Sequence, residues 1–242
     1  MPEFASAWKV VNRGVLPLVP LALVLAGCPS FSTMGTARTL PVGKTQLVVS
    51  PQAAYTKHWS IAGLDQGTDV VFPQFELGIH HGVTEDVEVG AKVWVLGFEV
   101  DTKLQLGRSR SDSSGVDIAI DPGIGYLGFT QGQSLATSSL TSSQNSLSFY
   151  LPLLVGFNFA GGNQLVLAPK IIDQVILPSS DTGAGNVLWG GASLGYAWRV
   201  GNFQLLPEVT VVYPMSVVQK LGSTFSFSGI AVQGGVGLLF GG

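Results

Sequence analysis

Acidic and basic side chains recur at alternate positions between residues 76 and 103 of this chain. Because side chains two apart in an extended strand lie on the same face, these residues predict one charged face shared by consecutive strands. Charges held away from bulk water need partners of opposite sign, so the pattern indicates an interior ion-pair network or a narrow path for a cation. The members of this predicted charge network are Glu76, His80, Glu88, Lys92, Glu99, Asp101 and Lys103.

Lys92 is the residue on which these two interpretations differ. A three-residue turn after the strand that carries Glu76 would place Glu76 opposite Lys92, and His80 opposite Glu88. A two-residue turn at the next connection would also bring Asp101 to face Lys92. If the network plugs the interior, loss of Lys92 should raise conductance; if it lines a path, the excess of acids favours a small cation. Further inward candidates are Asp117, Asp121, Lys170, Arg199 and Glu208.

A second set of reactive side chains lies in the segment YTKHWS. His58 is followed by Ser60, Asp65 and Asp69, so a Ser/His/Asp site can be drawn at the start of a long loop. A lone histidine beside Trp59 is more typical of a residue at the membrane interface. No nucleophile elbow, phosphate-binding loop or clustered metal-ligand pattern occurs in the sequence. We therefore expect no enzyme, no metal and no organic cofactor, and rank a lipid-modifying enzyme last among the functions.

The first 27 residues have the layout of a signal peptide. Two basic residues precede an apolar run over residues 15–26 that ends in small residues. The LAGC run that closes it resembles the lipobox of bacterial lipoproteins, in which the cysteine is acylated. The resemblance implies lipidation of Cys28, the only cysteine of the chain; the alternative is an ordinary leader with an incidental cysteine. Pro29, in place of an aspartate, implies sorting to the outer membrane.

The composition of the chain favours a membrane location. It is 46% hydrophobic and only 11% charged, which is too little charge for an ordinary soluble surface. Beyond the leader no stretch approaches the ~20 continuous apolar residues that a spanning helix needs. Because hydrocarbon offers no water to the backbone, a closed sheet is the remaining way to span the membrane. The net charge of −3, with dispersed basic residues, gives no electrostatic footprint for nucleic acid.

Apolar and polar residues alternate from residue 44 to the end of the chain. In the run over residues 98–106 one face is apolar, and the other is too charged to lie against a second sheet. Segments of about ten residues with this pattern predict transmembrane β-strands. Ten are predicted, over residues 44–55, 71–81, 87–95, 98–106, 116–129, 147–159, 164–177, 188–199, 203–214 and 224–240. Asp173 and the glycines of the last segment predict a β-bulge in the seventh or tenth strand.

Connection lengths and aromatic residues support this barrel. The longer connections, over residues 56–69, 130–145, 178–186 and 216–223, alternate with short turns, which places them at opposite ends. Aromatic residues of the apolar faces cluster near the strand ends, as in membrane-interface girdles. Those near the long loops are Tyr55, Phe98, Tyr126, Phe149 and Tyr213. Those near the short turns are Phe157, Phe159, Tyr196, Trp198, Phe203 and Phe240.

Three sequence features carry a family resemblance. The lipobox, the segment GTARTLP from Gly35 to Pro41 and the segment GVTEDVEVGAKV from Gly82 to Val93 resemble small, uncharacterised outer-membrane barrels of Gram-negative bacteria with a lipoprotein-type signal peptide. The resemblance spans most of the chain. It implies a location and a fold, and it carries over no catalytic residues.

The sequence thus predicts an all-β protein, a transmembrane antiparallel up-and-down β-barrel of about ten strands. Residues 1–27 are expected to be a signal peptide, 28–43 a lipid-anchored periplasmic tether, and 44–242 the barrel in the bacterial outer membrane. An even strand number places the N-terminus of the barrel on the periplasmic side.

For function we expect a structural or interaction role in the cell envelope, as in an envelope-spanning machine for export, adhesion or motility. The partners expected are outer-membrane lipid and other envelope proteins, met through the polar long loops. The alternative is a narrow channel for small cations or polar solutes.

Overall fold

In a computed structural model the chain forms a closed antiparallel β-barrel of ten strands. The structure describes residues 30–56, 59–61, 64–65, 70–111, 113–135, 138–178, 183–219, 226–227 and 229–242. In these parts of the chain, no helix is long and apolar enough to cross a membrane. The predicted fold class is confirmed.

The ten strands follow one another around the barrel in chain order. Each pairs with its neighbours in sequence, and the last closes on the first, from Gln46 opposite Gly241 to Thr56 opposite Ala231. The strands are β1 (Thr45–Thr56), β2 (Val70–Gly82), β3 (Val87–Trp94), β4 (Gly97–Gly107), β5 in two parts (Gly115–Ile120 and Gly123–Leu135), β6 (Ser138–Phe159), β7 (Asn163–Leu177), β8 (Gly185–Val200), β9 (Phe203–Gln219) and β10 (Ala231–Gly241).

The two faces of each strand differ as the alternation predicts. In β1, Val48, Ser50 and Gln52 are buried in the lumen, whereas Leu47, next to Val48, is 51% exposed on the outside. Around the barrel the exposed face is apolar, and about half of the buried side chains are polar or charged. This is the reverse of a soluble protein, and it is stable when the outer face meets lipid.

Aromatic residues form girdles at both ends of the outer face. Near the long-loop end, the rings of Phe98 and Tyr126 have centroids 5.9 Å apart. Near the short-turn end, Phe203 and Phe240 pair at 6.0 Å. Because amphipathic and aromatic rings prefer the headgroup depth, the two girdles mark the edges of the hydrocarbon.

Strand β5 is interrupted at Asp121 and Pro122, within a segment that we predicted to be continuous. The interruption preserves the sheet, because Asp121 N donates to the Pro152 carbonyl (3.1 Å) and the Pro122 carbonyl accepts from Thr102 N (3.0 Å). The β-bulge predicted for β7 or β10 was wrong. The register shifts lie instead in β8, between Leu188 and Trp189, and in β4, between Gln105 and Gly107.

The two ends of the barrel differ in their connections. At the short-turn end, Gly161 and Gly162 have φ angles of 82° and 76°, which favour glycine. At the other end, the loop predicted over residues 130–145 is a β-hairpin, because β5 and β6 keep pairing until Leu135 lies opposite Ser138. Three short strands also pair at the long-loop end: Trp59–Ile61, Leu64–Asp65 and Ser226–Phe227.

Candidate functional site in the barrel lumen

Residues 30–41 run through the inside of the barrel, and we call this segment the N-terminal plug. Ser30 lies at mid-height, where its hydroxyl donates to Glu76, and the carbonyl of Pro41 accepts from Lys44 N at the short-turn mouth (3.0 Å). Ser30 is 0% and Phe31 1% exposed. We had expected a periplasmic tether outside the barrel over residues 28–43. The lumen instead takes in this extended segment because the wall supplies partners for its side chains and main chain.

Three plug side chains, spaced three residues apart, each occupy a separate apolar niche in the wall. The Phe31 ring packs against the Trp189 ring, with centroids 5.5 Å apart. Met34 packs in a second niche and Ala37, 0% exposed, in a third. The niches are formed by Tyr150, Ile172, Ile176, Val187, Trp189, Val212 and Ala231 for Phe31; Val48, Ala197, Leu206 and Leu239 for Met34; and Ala119, Leu154, Val166 and Ala168 for Ala37.

The main chain of the plug is paired with side chains of the wall. Both carboxylate oxygens of Glu208 accept from adjacent N–H groups, those of Thr33 (2.8 Å) and Met34 (2.9 Å). Because buried N–H groups without partners are costly, these acceptors fix the path of the plug. The other main-chain N–H donors are Phe31 to Gln233, Ala37 to Gln164, Thr39 to Gln105 and Leu40 to Glu88, each at 2.8 Å.

Two buried lysines bind the carbonyl groups of the plug. Lys170 Nζ donates to the Phe31 carbonyl (2.6 Å), and Lys92 Nζ donates to the Ser32 carbonyl (2.9 Å). Near the short-turn end the plug supplies the cation, because Arg38 forms a two-pronged pair with Asp117 at 2.9 and 3.2 Å. The plug and the wall therefore satisfy each other's buried polar groups.

All seven residues of the predicted charge network face the lumen, but their pairing differs from the predicted one. Lys92 pairs with Glu99 (3.2 Å), and it also lies over the Tyr150 ring at 5.7 Å. Glu88 accepts from Lys103 (2.7 Å) and lies 3.2 Å from His80 Nδ1. Asp101 lies 3.8 Å from the same nitrogen of His80.

The register errors behind these predictions were each two residues. Glu76 lies opposite Trp94 and not Lys92, because the connection from β2 to β3 is longer than the predicted turn. The next two-residue turn comes one residue earlier than predicted, so that Lys92 faces Glu99 in place of Asp101. A shift of two leaves every side chain on its predicted face, since the strand period is two.

One small enclosed cavity lies between the plug and the charge network. Its volume is about 20 Å³, roughly the room for one water molecule. Asp101 and Asp121 line it, and each has one carboxylate oxygen without a hydrogen-bond partner among the described residues. The described lumen thus holds no wide passage at this height.

Several candidates lie elsewhere. Cys28 and His58 fall outside the described residues, so lipidation and the Ser/His/Asp site stay predictions. His81 lies at the short-turn end, where it shares a hydrogen bond with Thr45 Oγ1 (2.9 Å). Within the described ranges, no group of three or more His, Cys, Asp or Glu residues is arranged to hold a metal ion.

Neutral residues of the wall also hold the plug, and none of them is among the candidates predicted from the sequence. Gln105, Gln164 and Gln233 each bind its main chain. The alternation places these glutamines on the polar face of their strands, and this is the one signal in the sequence that points to them, since they carry no charge. The plug itself has no period of two or of 3.6 residues, so nothing in its pattern marks it as a lumen segment.

No protein-family profile and no curated protein matches this chain. Several solved structures do match this chain. The outer-membrane protease OmpT from Escherichia coli aligns at 10% identity and a TM-score of 0.46, over 86% of this chain and 100% of that one. An outer-membrane channel from Pseudomonas putida F1 aligns at 10% identity and 0.45, over 86% and 98%. The translocator domain of the autotransporter NalP from Neisseria meningitidis aligns at 11% and 0.43, over 97% of both chains.

An outer-membrane protease is therefore among the barrels that this chain resembles. The prediction that the chain is not an enzyme was wrong, because it excluded catalysis for a type of barrel that can carry it. At these identities the likeness is one of fold alone and assigns no active site. The neighbours named here are a protease, a channel and a translocator domain, and at TM-scores below 0.5 they assign no role to this chain.

Proposed function

We propose that this protein is an outer-membrane barrel closed by its own N-terminal segment, with a structural or interaction role in the cell envelope. The observation that carries the proposal is the fit of the plug, whose consecutive N–H groups at Thr33 and Met34 bind one wall carboxylate, Glu208. A loosely held tether would have no need of such matched partners. In this proposal the closed barrel is a scaffold that other envelope proteins bind.

The cost of removing the plug supports a closed resting state. Withdrawal would leave Glu208, Lys170 and Lys92 without the main-chain partners they now have. Each buried polar group left unpaired costs about 1–3 kcal/mol, and buried charges cost more. Water entering the emptied lumen would repay part of this cost.

The interaction role rests on the ends of the barrel. The hairpin of β5 and β6 continues to Leu135 and Ser138. Ser138 lies nine residues before Leu147 of β6, which pairs with the girdle residue Tyr126 of β5. Such a projection offers main chain and side chains to another envelope protein. Membership in a machine for export, adhesion or motility is the finer form of this proposal, and acylation at Cys28 would add a lipid anchor.

A plug-gated channel is the second candidate, and the composition of the wall favours it. Acidic side chains predominate around the enclosed cavity, where Glu99, Asp101 and Asp121 face Lys92 and Lys170. If the plug left, these acids would line a narrow path that favours small cations or polar solutes. The two candidates differ in whether the plug ever leaves.

Single-channel conductance in a planar bilayer separates the two. We expect the full chain to be silent and a variant lacking residues 30–41 to give reproducible steps. Glu208→Gln, which keeps the plug but weakens its hold, should give rare, brief openings. Arg110→Gln, an exposed residue at the short-turn end, is the control and should be silent. Steady ion-selective steps from the full chain would overturn the closed scaffold and establish the channel.

A further inference from the structure

Side chains of the wall hold the main chain of the plug along its whole length. Gln105 uses both ends of its amide, because its Oε1 accepts from Thr39 N (2.8 Å) and its Nε2 donates to the Ala37 carbonyl (3.2 Å). Glu208 accepts from two consecutive N–H groups, and Lys170 donates to a carbonyl. Main-chain groups are common to all polypeptides, so these contacts do not depend on the sequence of the plug.

The three apolar niches add a requirement for side-chain size. The first takes an aromatic ring, since the Phe31 ring lies against that of Trp189 with centroids 5.5 Å apart. The second takes the flexible, unbranched side chain of Met34. The third encloses Ala37 completely, at 0% exposure, so a larger side chain there would require the wall to move. The wall therefore selects a large, a medium and a small apolar residue at intervals of three.

The charges of the wall match a polypeptide better than they match an ion. Along residues 31–34 of the plug, Glu208 accepts from N–H donors, whereas Lys170 and Lys92 donate to carbonyl oxygens. An extended main chain offers both kinds of group in alternation. A simple cation or anion would pair with one sign of charge and leave the other buried without a partner.

The short-turn mouth has room for a second chain beside the plug. It holds an open cavity of about 570 Å³, lined in part by Thr36 and by residues 38–41. Short turns of bacterial barrels face the periplasm, so the cavity is reached from that side. An incoming segment can begin to bind there while Phe31 and Met34 still occupy their niches.

The incoming segment cannot be the plug of a second copy. Only residues 42–44 connect the plug to β1, which begins at Thr45. Three extended residues span roughly 11 Å, which is too short to cross two barrel walls into another lumen. The segment must therefore belong to a different polypeptide.

We propose that the lumen wall is a receptor for an extended segment of a different polypeptide, which enters from the periplasmic mouth and replaces the plug. The segment fills the three niches with a large, a medium and a small apolar residue at intervals of three. This inference rests on the proposed interaction role and names the class of partner. Because the segment takes the place of the plug, the barrel stays closed throughout.

Fluorescence anisotropy with the full chain in detergent tests the proposal. The probe is a labelled peptide with the sequence of residues 30–41, SFSTMGTARTLP. In the unmodified chain the attached plug competes at an effective concentration of about 1 mM or more, so the peptide should bind weakly. Phe31→Ala weakens the attached plug and leaves the wall intact, and this chain should bind the peptide about a hundredfold more tightly. If Phe31→Ala fails to fold, Met34→Ala carries the same test.

Two altered peptides test what the wall selects. A peptide with Ser32→Ala, Thr33→Ala and Thr36→Ala keeps the three niche residues and the main chain, so it should bind within about tenfold of the original. A peptide with Ala37→Trp should not bind, because the third niche is closed. A scrambled peptide of the same composition is the control and should not bind either. Failure of the triple-alanine peptide would mean that the wall recognises only its own plug, and would overturn the proposal.

The wall is tested by a second substitution in the Phe31→Ala chain. Glu208→Gln should weaken peptide binding about tenfold, through loss of a charge-assisted acceptor. Asp86→Asn, at an exposed turn, is the control and should change nothing. The proposal is overturned if no peptide binds, if the scrambled peptide binds equally well, or if Asp86→Asn weakens binding as much as Glu208→Gln. A full chain that is silent in the bilayer yet binds no peptide would overturn the receptor alone and leave the closed scaffold in place.

Discussion

The two halves of the N-terminal plug differ in how far water can reach the groups that hold them. Residues 30–34 are bound largely by buried charges, with Glu208 accepting from the main chain and Lys170 donating to it. Residues 37–40 lie next to the open cavity of about 570 Å³ at the short-turn end, where the amides of Gln164 and Gln105 and the carboxylate of Glu88 accept from the main chain. Water reaches the partners of the outer half from the open mouth while the plug is in place, whereas the cavity beside the inner half has room for about one water molecule. We therefore expect the inner half to secure the plug, and the outer half to be the part that can leave its partners and bind them again.

Phe31→Ala should have the largest effect, because it empties the apolar niche of the inner half. Truncation of a buried phenylalanine costs about 3–5 kcal/mol, so the urea midpoint for unfolding of the refolded barrel should fall clearly. Trypsin cleavage after Arg38 should also become faster, since the plug would leave more often. Phe149→Ala is the control, because Phe149 is 46% exposed on the lipid face. Unchanged cleavage in Phe31→Ala would show that this niche does not secure the plug.

Glu208→Gln should have an intermediate effect on the inner half. The amide keeps one acceptor for the plug but loses the charge that now serves two N–H groups, at a cost of about 2 kcal/mol. We expect deuterium exchange at the Thr33 and Met34 amides to accelerate. The exposed Glu85→Gln is the matched control. If the two variants exchange at the same rate, the carboxylate of Glu208 contributes nothing to plug retention.

Asp117→Asn should have the smallest effect, confined to the outer half. It removes the charge that pairs with Arg38, whose side chain is 24% exposed, but Asp117 itself is 0% exposed, so we expect a loss of about 1.5 kcal/mol, the low end for a hydrogen bond to a charged group. Amide exchange should accelerate at Ala37 and Thr39 and stay unchanged at Phe31. Asp86→Asn, at an exposed turn position, is the control. Equal acceleration along the whole plug would mean that its halves move as one unit.

Much of the barrel follows from local pattern. The alternation over residues 98–106 predicted β4 to within one residue at each end, and the lumen face of Glu99, Asp101 and Lys103 with it. Each strand has lipid on one side and the polar lumen on the other, so the alternation of apolar and polar residues is present in each segment by itself. Strand ends were less well predicted, as in the extension of β6 back to Ser138.

By itself the sequence determined the strand number, the two faces and the aromatic girdles, because these depend on the period of two and on contact with lipid. The register and the plug were decided only by the tertiary structure. A slip of two residues, as between Lys92 and Glu99, leaves the alternation intact and is invisible in it. Residues 30–41 have neither the period of two of a strand nor the period of 3.6 of a helix, and their place in the lumen depends on partners such as Glu208 and Gln164 that lie far away in the chain.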